Sequence, residues 1–286
     1  MITDLFLRGD RSAVIANIKR AATEGRFNDK VETNDPVLDL SQERALEANY
    51  LRMRKKPAFW LNSHLELALI GTTASVDTRH VRVVGRDNLA GVTGSAVVTS
   101  NHFSPGENLM VRKAARGRSL QIVGQLTNLE MGGFLGYLMT YGTLPISSDA
   151  KYMGREFPKL LGGSLQKGNW VLIYPEQEMW FQYRRPRPPK RGAYYYAARF
   201  NVPVVSCFVT MRDTGVHLTG DFNRIEYTLH ILKTLRPDPK LSVRDNSRAM
   251  MQADYAQKCE LYETTYGEAI DAPFSAADIV GWHARG

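Results

Sequence analysis

From residue 81 onward, short apolar runs alternate with helix-like stretches, and few folds accommodate that pattern. The runs are "VRVV" (81–84), "SAVVTS" (95–100), "SLQIVG" (119–124), "TLPI" (143–146), "NWVLIYP" (169–175) and "VPVVSCFVTM" (202–211). Helical patterns occupy about 107–116, 128–140, 156–167 and 191–200. Strands separated by helices build an α/β domain, because a parallel neighbour needs a crossover. Near-continuous apolar strands fit a sheet covered on both faces. The expectation is a mixed, partly parallel sheet flanked by helices. "RIEYTLHILKTL" after residue 220 reads as one more strand, and "RPDPK" (236–240) as a linker to a long amphipathic helix.

Residues 1–75 read as helical. "DRSAVIANIKRAATEG" places Val14, Ile15, Ile18 and Ala22 on one face and stops at Gly25. "SQERALEANYLRMRKK" begins with Ser41 as N-cap, has Glu43 and Glu47 in its early turns and ends basic. The organisation expected is a helical segment over 1–76, an α/β domain over 77–240 and a helical segment over 241–286. Acid and arginine within the first eleven residues argue against a secretory signal. No window holds the ~18 uninterrupted apolar residues of a spanning helix. The nearest, 59–76 and 131–146, read as core or interfacial helices.

The net charge of +8 and pI near 9.4 call for anionic partners, such as a membrane surface or phosphorylated small molecules. Zinc-ligand spacing, RNP-like aromatics and basic-zipper heptads are missing, so nucleic acid is not an expected partner. Cys207 and Cys259 have no close cysteine partner, which fits a reducing compartment, and Cys207 lies in an apolar run as a core thiol. No metal-ligand cluster is visible. His64, His80, His217, His230 and His283 stand isolated and read as structural or surface residues.

"TSNHFSPGEN" (99–108) carries the chemistry. Asn101 and His102 leave a buried strand at its end, where α/β proteins put their ligands. Pro105 suits a first helical turn, and Glu107 suits the positive end of a helix dipole. On a continuous helix five residues rotate a side chain by roughly 140°. His102 and Glu107 therefore meet only if the chain bends at Ser104-Pro105-Gly106, and the sequence supplies that bend. A carboxylate on one imidazole nitrogen fixes the tautomer and makes the other a better base. The same stretch also reads as a loop histidine followed by a helix-start acid.

Three more stretches follow in order: "GTLPISSD" (142–149), "LIYPEQE" (172–178) and "KRGAYYYAARFNVPVVSCFV" (190–209). With the first, they resemble the four blocks of the glycerolipid and lysophospholipid acyltransferase family over roughly residues 80–215. The resemblance implies a glycerol-3-phosphate acyltransferase-like fold and a fatty acyl thioester, on coenzyme A or acyl carrier protein, as co-substrate, with no further cofactor. It implies His102 as general base, Glu107 as its partner, and direct attack of the acceptor oxygen without an acyl-enzyme. Asn101, Ser147 and Glu176 would bind the acceptor. The chain departs from the pattern at three places. Glu107 stands where the family usually has Asp, Ser147 or Ser148 stands near the place of an arginine associated with the acceptor's phosphate, and Gln177 replaces glycine.

The run "RRPRPPKR" (184–191) puts five cations in eight residues near Glu176. Arg184, Arg185 and Lys190 are expected to grip an anionic head group, the acceptor's or the bilayer's, or to form a solvated loop. Trp180, Phe181, Tyr183 and Tyr194–Tyr196 around it suit a membrane–water interface or a core. The expected activity is acyl transfer to a hydroxyl of a lysophospholipid-type acceptor such as 1-acylglycerol-3-phosphate. The enzyme is expected to be cytoplasmic and peripheral, on the inner face of the cell membrane. The alternatives are transfer to a non-phosphate lipid, sugar or amine, and a degenerate member that only binds lipid.

Overall fold

In the computed structural model, which describes residue 7 and residues 9–33 and 36–283, seven strands form one sheet in the order β1-β7-β6-β2-β5-β3-β4. They are β1 (Arg82–Val84), β2 (Ala96–Thr99), β3 (Leu120–Gln125), β4 (Thr143–Ile146), β5 (Trp170–Leu172), β6 (Val204–Thr219) and β7 (Phe222–Ile231). All neighbours pair in parallel except β6 and β7, which form a long antiparallel hairpin. The expected mixed sheet is therefore present. β6 runs beyond the apolar pattern to Thr219, because Arg212–Thr219 leaves the core while hydrogen bonding to β7 continues.

The described helices are α1 (Ser12–Thr23), α2 (Leu40–Arg54), α3 (Pro57–Asp77), α4 (Glu107–Ala115), α5 (Gly133–Gly142), α6 (Phe157–Gln166), α7 (Gly192–Arg199) and α8 (Val243–Tyr266). The central strands β2 and β5 are buried along their length, as strands covered on both faces must be. One apolar cluster joins α1 and α4 to Trp170, Phe181 and the β6–β7 hairpin, and another joins α6 and α7 to Val97, Val171 and Met250. The first residues, read as no secretory signal, lie partly outside the described residues.

Two helix starts differ from expectation. Asp39, not Ser41, caps α2: its carboxylate accepts from the Ser41 and Gln42 backbone amides, and Gln42 reaches back to Asp39. Asp39 completes a reciprocal capping box with Gln42 that Ser41 does not form. Pro105 lies outside α4, in the turn that precedes it. On α1, Ala21 rather than Ala22 joins Val14, Ile15 and Ile18 as the buried row.

α8 reaches the sheet through a buried polar cluster. Asp254 accepts from Thr99 Oγ1 of β2 at 2.9 Å, from Tyr194 of α7 at 2.5 Å and from Lys258 at 2.8 Å. Burial opposes the charge on Asp254, but Lys258 beside it holds the carboxyl below its usual range. Cys207 is a buried core thiol, pushed up to about 12 by that burial.

Candidate active site

β2 ends at Thr99, and the chain turns off the sheet through Ser100–Ser104. Asn101 fastens this loop to β6: its amide nitrogen donates to the Val209 carbonyl at 3.0 Å and its oxygen accepts from the Val209 amide at 2.9 Å. Its polar atoms are thereby taken by backbone, so Asn101 is a strut of the loop where a substrate contact was expected. The turn at Ser104–Gly106 brings Glu107 back under His102. Nδ1 of His102 lies 2.5 Å from Glu107 Oε1, and the Ser104 amide donates to Glu107 Oε2 at 3.1 Å. Glu107 is 1% exposed and His102 22%. A buried carboxylate with a solvent-reachable imidazole is the arrangement that a general base requires.

Tyr174, just beyond β5, packs flat against His102, with ring centroids 4.0 Å apart and planes at 10°. Burial, and then the nearby Glu107, push its hydroxyl well above the usual range, so it stays neutral. The sequence reading missed this residue. Its only signal was an aromatic two positions before Glu176 at a strand end.

Glu176 is 4% exposed. Its carboxylate accepts from the His102 amide at 3.3 Å and from the amide and Nε of Arg187, each at 3.1 Å. It thus ties the loop after β5 to the loop after β2. Arg187, 2% exposed, stacks over Trp180 and also donates to the carbonyls of Phe27 and Glu178.

Arg184, Arg185 and Arg187 of the run are therefore neither solvated nor membrane-facing, whereas Lys190 and Arg191 at its end are exposed. Arg184 pairs with Glu268 at 2.6 Å and Asp278 at 3.3 Å. Arg185 forms a two-pronged contact with Asp278, at 2.7 and 2.8 Å, and reaches the carbonyls of Ala272 and Pro273. Both are buried, and their pairing with carboxylates corrects the expectation that they meet a head group. Trp180, Phe181, Tyr183 and Tyr194 are likewise core, at 0–4% exposure, not an interface belt. Lys190 keeps an exposed side chain, while its amide donates to the Pro175 carbonyl at 2.7 Å.

At the second block, Ser147 and Ser148 meet an acid. Both hydroxyls and the Ser148 amide donate to Glu43 Oε2 of α2, at 3.0, 2.5 and 3.0 Å. A carboxylate thus stands where the family resemblance leads one to look for an arginine. Behind α4, Arg112 faces Glu66 of α3 at 3.8 Å and donates to the Leu120 carbonyl at 3.0 Å. Burial pushes Glu66 up to about 7, against the pull of Arg112. Gly142 makes room for it, since a Cβ there would lie 2.7 Å from Glu66 Oε1.

Residues 80–210 match the Acyltransferase family model. No curated protein matches the chain. Among solved structures, the 1-acyl-sn-glycerophosphate (LPA) acyltransferase PlsC from Thermotoga maritima resembles it in fold. That match has a TM-score of 0.51 and 13% identity, and spans 77% of this chain and 95% of that one. The family match contains the His102–Glu107 loop, Ser147, Glu176, strands β1 to β5 and the start of β6, so residues 80–210 form an acyltransferase-family domain.

Proposed function

We propose that this acyltransferase moves a fatty acyl chain from coenzyme A or acyl carrier protein to a hydroxyl of a lysophospholipid-type acceptor, with His102 as the base. The observation that carries this is the short contact between His102 Nδ1 and the buried Glu107 carboxylate. With the Nδ1 proton directed at Glu107, Nε2 keeps its lone pair. Nε2 takes the acceptor's hydroxyl proton as the oxygen attacks the thioester carbonyl. The C–S bond then breaks, and the imidazolium returns the proton to the leaving thiolate. Glu107 stabilises the imidazolium between the two steps, and the Tyr174 ring holds it flat. Glu107, one methylene longer than the family's usual Asp, still closes on His102 across the turn at Ser104–Gly106, which supports a working enzyme over a degenerate binder.

The acceptor class turns on Glu43. A carboxylate beside Ser147 and Ser148 repels a phosphate, which favours the second reading, an acceptor whose head group at that point is neutral or cationic. A panel of 1-acylglycerol-3-phosphate, zwitterionic lysolipids, glycolipid and amine acceptors with both thioester donors tests both readings. Product with none of them, or equal product from a well-folded His102→Ala protein, rejects the mechanism.

Among the described residues no helix is long and apolar enough to cross a membrane. α3 and α5 pack together and leave Leu61, Leu65, Val76, Phe134 and Leu135 exposed. This face, rather than the arginine run, supports a peripheral seat on a bilayer, on the cytoplasmic side if the enzyme meets its thioester donors there.

A further inference from the structure

At the end of α4 away from His102, five cations from two stretches of chain converge. Arg86 follows β1, Arg112 and Lys113 lie on the last turn of α4, Arg116 caps it with a left-handed backbone (φ 47°), and Arg118 precedes β3. Together with α3 they line a groove of about 850 Å³, and among the described residues no carboxylate lines it.

Neutral acceptors hold most of these cations in place. Arg86 donates to the Lys113 carbonyl at 3.1 Å, Lys113 to the Thr78 and Val81 carbonyls at 2.7 and 2.8 Å, and Arg118 to the Val92 carbonyl at 2.9 Å. A carbonyl orients a cation without cancelling its charge. Arg112 has Glu66 close by, and Asp87 lies with Arg86, Arg116 and Arg118 around the adjoining depression, with no ion pair to any of them among the described residues. Arg116 is exposed and forms no hydrogen bond or ion pair with the described residues. Oriented like charges that outnumber the acids near them create a field that an anion relieves, and guanidinium groups match phosphate oxygens in shape.

The side of the groove that α3 forms indicates which phosphate. Between Lys56 and Asp77, α3 has one charged residue, Glu66, and it is buried. The outward stripe is Leu61, Leu65, Ala68, Thr72 and Val76, all exposed, and its last three members line the groove. An uncharged stripe that runs into a basic groove fits an amphiphile with its phosphate at the basic end and its chains along the helix.

We infer that this groove binds the phosphate of an anionic bilayer phospholipid, at a site separate from His102, and so fixes how α3 lies on the membrane. The inference rests on the lipid acyl-transfer reading for the presence of a bilayer, but its test needs no turnover. The full chain is sedimented with phosphatidylcholine vesicles with and without phosphatidylglycerol. Arg86→Gln with Arg116→Gln should weaken binding to the anionic vesicles by about 30-fold, as expected for two cations near such a surface. Arg116→Gln alone, which breaks no bond within the protein, should weaken it by about 5-fold. Lys19→Gln with Lys240→Gln removes the same charge elsewhere and should change binding little. Equal losses in the two double variants would mean diffuse attraction and overturn the site, as would unchanged binding by the groove variants. Calorimetry with coenzyme A and inorganic phosphate forms a second arm. If the groove variants lose those ligands but keep the vesicles, the groove serves a soluble phosphate compound and the lipid assignment falls. His102→Ala should sediment like the parent, so that failure of the acyl-transfer mechanism and failure of the groove are read separately.

Discussion

Around the N-terminal end of α4, Glu107 faces His102 and Arg187 faces Glu176; around its C-terminal end, Arg86, Lys113, Arg116 and Arg118 face a groove that no carboxylate among the described residues lines. The two regions use charge differently. In the first, each charge sits beside its opposite, and the pairs fix the two loops that carry the chemistry. In the second, cations are oriented by neutral carbonyls and keep their field. A paired charge should therefore matter to the fold or to the reaction, and an unpaired one to what the protein binds.

The largest effect should fall on the paired side. His102→Ala should lower kcat by about 10²–10⁴-fold, the range for loss of a general base, in a protein that still folds, because a loop residue at a strand end carries little core packing. Glu107→Gln keeps the shape but removes the charge that stabilises an imidazolium, so it should lose most activity, and Glu107→Asp should keep some. If Gln and Glu perform alike from about pH 6 to about pH 9, around the ordinary imidazole range, the pair is only a helix start.

Arg187→Gln leaves Glu176 buried without its counter-charge. Breaking a buried pair from one side costs about 3–5 kcal/mol, measurable by denaturant unfolding. A neutral result would show that Glu176 is not dependent on its pair, and the contrast between the two regions would weaken.

Glu66 stands between the regions and should titrate. Its folded pKa of about 7 lies above the ordinary 4.5. The folded state therefore binds more protons than the unfolded state between those values, and stability falls as pH rises through that window. The stability that is full below pH 4.5 and gone above about 7 amounts to at most about 3 kcal/mol. Glu66→Gln should abolish this slope and melt higher than the parent at about pH 8, above the folded pKa. A parent protein equally stable at about pH 5 and about pH 8 would refute it.

The smallest effect belongs to the unpaired side. Arg116→Gln should change unfolding free energy by no more than about 0.5 kcal/mol, as surface substitutions usually do. A larger loss would show that Arg116 has a structural partner after all.

The strands and the His102–Glu107 turn were legible in sequence because both depend on neighbours: apolar runs bounded by helices, and a Pro-Gly bend that lets five residues close. The arginine run was misread for the opposite reason. Arg184 and Arg185 find Asp278 at separations of 94 and 93 residues, beyond any local pattern, so a dense run of cations looked like surface. The groove was invisible for a related reason: its cations come from residue 86 and from 112–118, and only the folding of β1 against α4 brings them together. Glu43 looked like an ordinary early-turn acid of α2, and nothing local pointed it at Ser147.

The link between Thr99 and Asp254 has a consequence for the order in which this chain is made. Its partners are 155 positions apart. At about 5–20 residues per second of synthesis, β2 waits roughly eight to thirty seconds for that carboxylate. During that interval the strand that feeds the His102 loop has been made, but α8, which closes the cluster beneath it, has not. A nascent chain stopped before residue 254 would carry the catalytic pair yet lack the buried contact that seats it, and competence should arrive late, with the emergence of α8.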